Sequence, residues 1–143
     1  MGYNITVREV RQPTPKEMTL ALREAGQAGR WNHWRHEVAR HAGDWVAFGE
    51  TQQPLTPEVF ARLPEAVAAY PKVDLCTYLY RGRRVWGYQA RYIPFAGFRL
   101  SVVIIVYDPL AGEIVHCLGR GPNYLQNYRK HKGSDFVEVR WQR

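Results

Sequence analysis

Five histidines carry most of this chain's capacity to move protons near neutral pH. His116 falls on a predicted strand, with His131, Tyr128, Arg120 and Glu113 close by in sequence. RNA cleavage is one chemistry that suits such a set. It needs a base for the 2′-hydroxyl, an acid for the leaving oxygen and cations for the charged transition state. A histidine on a strand serves equally as a structural or surface residue, so His116 and His131 are catalytic candidates without an ordered motif behind them. His33, His36 and His41 form a second group. His33 and His36 share a helical face, and His36-Glu37 matches the start of a zinc-protease motif, but the second histidine arrives at 41 instead of 40 and spoils the facial pair. Cys76 and Cys117 are far apart and form no CxxC. The expectation is therefore no metal site and no cofactor.

Two segments have a composition suited to anions. In Tyr78-Leu79-Tyr80-Arg81-Gly82-Arg83-Arg84-Val85-Trp86-Gly87-Tyr88-Gln89-Ala90-Arg91-Tyr92, rings alternate with guanidinium groups along a predicted hairpin. If the register brings Tyr78 and Tyr80 beside Trp86, Tyr88 and Tyr92, the result is a surface on which unpaired bases stack. Arg81, Arg83, Arg84 and Arg91 would supply charge there, and Trp86 and Tyr88 contact area. The same rings serve as well on a face packed under helices. The second segment runs from Gly119 to Gly133, a glycine-flanked loop entering a predicted short helix over 122–131. Its backbone N–H groups suit an anion, yet the lysine and hydroxyl of a phosphate loop are absent. Arg120 opens this stretch. Arg129, Lys130 and Lys132 close it, where they complement the helix dipole or sit on a solvated helix end.

The elements that must position these groups follow from periodicity. Residues 3–10 alternate as a strand. Thr14-Pro15-Lys16-Glu17 is a capping box with proline at the first helical position, so a helix starts at Pro15, with Gly26 as its stop. Trp31, Trp34, Val38 and Trp45 have helical spacing and predict a helix over 31–42. Thr56-Pro57-Glu58 starts another, which Pro64 kinks or restarts. From Val73 the period becomes two, predicting strands over 73–80, 84–93, 98–107, 113–118 and 135–141. The continuous run Val102-Val103-Ile104-Ile105-Val106 belongs in the middle of a sheet. The predicted class is α+β in a single domain spanning 1–143. It has an antiparallel sheet of about five or six strands, N-terminal helices on one face and a short helix before the last strand.

Composition narrows the partners. The chain has 143 residues, 20 Lys plus Arg, 13 Asp plus Glu and a net charge of +7. Most of that excess belongs to the half beginning at Val73, where no acid interrupts the stretch between Asp74 and Asp108. A one-sided potential of this kind favours polyanions or an acidic protein surface. No apolar run reaches the length of a membrane span, and the N-terminus lacks a secretory signal's apolar stretch. Two cysteines do not make a disulfide scaffold. The expectation is a cytoplasmic protein with no membrane partner.

In its size, its Arg-rich and Ser-poor make-up and the segments RGRRVWGYQARY (81–92) and RGPNYLQNYRKHKG (120–133), the chain resembles small phage-encoded proteins that bind bacterial RNA polymerase. That resemblance implies a non-catalytic regulator occupying a surface of the transcription machinery, and it assigns no particular residue. The leading expectation is thus a non-enzymatic protein whose basic, aromatic C-terminal half engages nucleic acid or an RNA polymerase-type complex. The alternatives are a small ribonuclease toxin using His116 or His131, and a protein-directed adaptor presenting Trp31, Trp34 and Trp45 as a patch.

Overall fold

The structure is a computed structural model and describes residues 12–126 and 137–140. Helix α1 spans Pro15–Ala28 and begins as expected: the Thr14 hydroxyl accepts the Glu17 N–H while the Glu17 carboxylate reaches back to the Thr14 N–H. It runs past Gly26 and ends at Gly29, which takes the left-handed conformation (φ 65°). Gly26 instead allows close packing, because a Cβ there would lie 3.0 Å from the Pro64 side chain. Helix α2 covers Trp34–His41, and the short α3 (Pro57–Phe60) and α4 (Leu63–Ala69) follow. The chain breaks between α3 and α4 just before Pro64, which the first turn of α4 accommodates.

Four long antiparallel strands form the body of the sheet: β1 (Val73–Tyr80), β2 (Arg83–Phe95), β3 (Phe98–Asp108) and β4 (Glu113–Arg120). A short β5 (Val137–Arg140) pairs antiparallel with β1, giving the spatial order β4-β3-β2-β1-β5. The class is α+β. Two-residue turns join β1 to β2 through Arg81-Gly82 and β2 to β3 through Ala96-Gly97, all four residues having positive φ. This is the turn geometry that matches the twist of paired strands. The predicted strand over 3–10 lies outside the described residues. Of the helix expected over 122–131, only Pro122–Gln126 is described, as a 3₁₀ turn. No described helix is long and apolar enough to cross a membrane.

The helices cover one face. Met18, Leu22 and Ala25 of α1, with Phe60, Leu63 and Val67, pack on Leu75, Tyr88, Ala90, Val103 and Ile105. Trp45 is fully buried there, and its Nε1–H donates to the Val102 carbonyl at 3.1 Å. Trp31 and Trp34 lie against Phe60 with ring centroids 5.7 and 5.9 Å away. The tryptophans therefore anchor the N-terminal segment, Trp45 buried and Trp31 and Trp34 half-buried. On the opposite face Cys76, Tyr78, Val85 and Val106 form a second buried cluster, with Tyr80, Val115 and Tyr124 packed beside it.

Strand β4 is an edge strand, and residues 30–45 run along it. Ile114 N–H donates to the Arg30 carbonyl, and Asn32 N–H donates to the Ile114 carbonyl, both at 2.8 Å. Further along, the Cys117 N–H meets Glu37 and the Gly119 N–H meets Asp44, each at 2.9 Å. Gly119 was expected in a loop but continues the strand, because the Trp45 ring lies where a side chain would go. A Cβ at Gly119 would stand 2.6 Å from Trp45 Nε1 and closer still to Cε2. Gly119→Ala is expected to destabilise the fold by about 1–3 kcal/mol through overpacking. A urea melt checks this as a lowered midpoint with an unchanged slope.

Candidate active site

Three elements converge beside the exposed end of β4. The pairing of β3 with β4 shifts between Val106↔His116 and Tyr107↔Ile114, leaving Val115 as an inserted residue. Such a bulge re-aims side chains, and here both Val115 and His116 line one cleft. Helix α2 contributes Glu37, a residue only 1 % exposed whose side chain meets the backbone of β4 at Cys117. The end of β1 contributes Tyr80, held beside the cleft by the tight Arg81-Gly82 turn.

These groups form a continuous chain of hydrogen bonds. Glu37 Oε1 accepts the Cys117 N–H at 2.9 Å, and Glu37 Oε2 lies 3.3 Å from His116 Nδ1. His116 Nε2 is 3.0 Å from the Tyr80 hydroxyl. Burial alone would raise the Glu37 pKa. The His116 hydrogen bond, the Cys117 N–H and the nearby His116 and His41 rings outweigh it and hold the carboxyl below its ordinary value of 4.5. An ionised carboxylate only accepts, so in neutral His116 the proton sits on Nδ1 and Nε2 is left to accept from Tyr80. A parallel arrangement lies seven residues on, where Asp44 Oδ2 accepts the Gly119 N–H and lies 2.8 Å from His41 Nδ1.

The cleft has a volume of about 580 Å³, and Arg40, Arg81 and Arg120 line it with His33 and His36. Arg81 places its guanidinium 5.3 Å from the centre of the Tyr80 ring. Arg120 is exposed and bonds its own neighbour, the Gly119 carbonyl, at 2.8 Å. His33, at the mouth, adopts a left-handed backbone (φ 57°) at the start of α2, a conformation that costs energy for a residue with a side chain. Both cysteines are buried thiols, and burial pushes Cys117 well up, with the Glu37 and Asp44 carboxylates adding to the effect. Among the described residues no three His, Cys, Asp or Glu side chains come close enough to hold a metal ion.

The basic and aromatic residues singled out from the sequence do not share one surface. Tyr78 pairs with Val85 and Tyr80 with Arg83, whereas Trp86 pairs with Thr77 and Tyr88 with Leu75. The register thus sends Tyr78 and Tyr80 to one face and Trp86 and Tyr88 to the other. Tyr88 is 1 % exposed and donates its hydroxyl hydrogen to the Met18 carbonyl, so it is a core residue and offers a partner no contact area. Trp86 is half-buried against Tyr107. Arg83 pairs with Asp108, and Arg91 with Asp74 at 3.1 Å. Arg83 and Arg84 line a separate groove with Trp86 and Leu110, away from the Arg81 and Arg120 side chains. Glu113, at the start of β4, pairs with Asp108 across the strands and does not line the cleft. Tyr128, Arg129, Lys130, His131 and Lys132 lie outside the described residues.

Sequence reading placed His116 but missed Glu37 and Arg40, and it valued Tyr80 only as a stacking ring. The sole trace of Glu37 was its place beside His36 in a failed zinc motif. Two measurements check this geometry. Nitrogen NMR should show His116 protonated on Nδ1 when neutral, and Glu37→Gln should reverse the tautomer, because the amide N–H₂ then faces Nδ1. Asp108 is likewise held below its ordinary 3.8, because the Ala111 N–H, Arg83 and the Leu110 N–H outweigh the effect of burial. Since both carboxyls bind protons more weakly when folded, their contribution is complete above about pH 5 and lost on acidification. The melting temperature should fall as the pH drops toward about 3, less steeply in Glu37→Gln.

Comparison with protein-family models, with curated proteins and with solved structures finds no match to this chain, so its function rests on the chemistry of the site alone.

Proposed function

We propose that the His116 cleft is the active site of a phosphodiester-cleaving enzyme acting on RNA. The observation that carries this reading is the chain Glu37–His116–Tyr80, opening into a cleft lined by Arg40, Arg81 and Arg120. His116 has a carboxylate behind Nδ1 and a proton-accepting Nε2 facing the cleft, the arrangement of a general base with its orienting partner. The three guanidinium groups supply the donors and positive charge that a phosphodiester and its transition state call for. Glu37 acts as a positioning residue, fixing the tautomer of His116 without touching the substrate.

Purified protein incubated with single-stranded RNA in EDTA should release fragments. His116→Ala should slow this by at least about 10²-fold, the usual contribution of a general acid–base group. Glu37→Gln should lower the rate by about 10- to 100-fold while the fold is retained, since Gln still accepts the Cys117 N–H. RNA left intact by the wild-type protein, or cut equally well by His116→Ala, would overturn the assignment.

A second reading, docking on nucleic acid or on an RNA polymerase-type complex without catalysis, has its own support. The groove lined by Arg83, Arg84, Trp86 and Leu110 carries the exposed Arg84 beside a leucine that is 88 % exposed. Arg and Trp are frequent anchors of interfaces. In that case Arg84→Glu with Trp86→Ala should abolish capture of the polymerase or of nucleic acid, and His116→Ala should leave it unchanged.

A further inference from the structure

Hydrogen bonding leaves His116 one direction in which to accept a proton, and a phenol already occupies it. Nδ1 is committed to Glu37, and Nε2 faces the Tyr80 hydroxyl at 3.0 Å. The first group that this imidazole can deprotonate is therefore a protein side chain. The order carboxylate, imidazole, hydroxyl is the arrangement by which enzymes activate an internal nucleophile. We propose that Tyr80 is the nucleophile of the cleft and becomes covalently linked to the phosphorus of its substrate. This rests on the phosphodiester-cleaving role of the same cleft.

Other candidates fall away on position. Ser101 is buried and bound through its hydroxyl to Glu50, and the Thr77 hydroxyl donates to Gln12. Cys76 and Cys117 are buried thiols. The hydroxyls lining the cleft among the described residues belong to Tyr78, Tyr80 and Tyr124. Of these, Tyr80 has its hydroxyl in hydrogen-bond contact with the imidazole. Arg81 lies over the Tyr80 ring, where a cation favours the electron-rich phenolate formed on deprotonation.

The step balances within the site. Tyr80 Oη forms a bond to phosphorus as its proton passes to His116 Nε2. The bond from phosphorus to the 5′-oxygen breaks, and that oxygen departs as a hydroxyl with a proton drawn from water, while His116 returns its own to solvent. The product is a tyrosyl phosphodiester joined to the 3′-oxygen of one fragment. Because the 2′-hydroxyl takes no part, a deoxy strand should react as well as RNA.

The test uses two single-stranded substrates, an RNA and a deoxyoligonucleotide carrying 5′-bridging phosphorothiolates. The departing sulfur of the latter does not rejoin phosphorus, so any adduct accumulates. The expected result is a protein mass increased by one oligonucleotide fragment, mapped by peptide analysis to Tyr80. It should be absent in Tyr80→Phe, which keeps the ring, and in His116→Ala, and slowed in Glu37→Gln. Melting curves confirm that each variant is folded. RNA cut to 2′,3′-cyclic phosphate ends, with an untouched deoxy strand and no adduct, would overturn the role of Tyr80 and leave the cleavage reading standing. No reaction with either polymer would overturn both.

Discussion

The outer edge of β4 sets the terms for the rest of the molecule. An edge strand exposes a row of backbone donors and acceptors, and a buried backbone group without a partner costs free energy comparable to a lost hydrogen bond. Here the row is met by the segment from Arg30 to Asp44: first backbone to backbone at Ile114, then carboxylate to backbone at Cys117 and Gly119. The change of partner coincides with the bulge at Val115, where the strand bends and its pairing shifts by one residue. Beyond that point α2 replaces extended chain, and a helix has side chains to offer, not a row of backbone partners. Glu37 reaches the strand from α2, and Asp44 from the turn that follows it.

A carboxylate that satisfies an amide, as the buried Glu37 and the half-buried Asp44 do, has further acceptor capacity to place. That capacity takes a histidine: the other oxygen of Glu37 takes His116, and the same oxygen of Asp44 takes His41. A buried charge is tolerated when paired and hydrogen-bonded, and removing its partner is strongly destabilising. The imidazole of His116 is thus fixed by the same interaction that closes the sheet edge, and its free nitrogen is turned toward the cleft as a consequence. Arg81 and Tyr80 arrive there because a two-residue turn leaves them adjacent at the end of β1.

Much of the architecture was legible in local chemistry. A capping box with proline marked the start of α1, a threonine cap with proline that of α3, and the change to period two at Val73 marked the sheet. Gly26 and Gly119 misled for a common reason. Each is needed for close approach of a distant side chain, Pro64 or Trp45, and looks locally like a stop or a loop. The aromatic hairpin misled through register. The two-residue Arg81-Gly82 turn sets Tyr80 opposite Arg83 and Tyr78 opposite Val85, which separates Tyr80 from Trp86 by a whole sheet thickness. A turn one residue longer, as expected from the sequence, would have set Tyr78 opposite Trp86. Of the site, His116 was visible as a titratable residue beside basic ones. Glu37 was not, since its role depends on a contact with Cys117 across most of the chain.

This dependence also explains why charge was a poor guide to the site. Net charge counts Arg83 and Arg91 with Arg81 and Arg120, but Asp108 and Asp74 engage the first two. What distinguishes the cleft is a buried carboxylate held against an imidazole, with Arg40, Arg81 and Arg120 lining it. A buried interaction of this kind is stronger than its counterpart in water, and its geometry is fixed before any ligand arrives. The chemistry proposed at His116 therefore requires the β4 edge to stay closed. Loosening α2 from the strand would free the Cys117 and Gly119 amides, expose Glu37 to water and release the ring together, so the site gains its order from the stability of the fold.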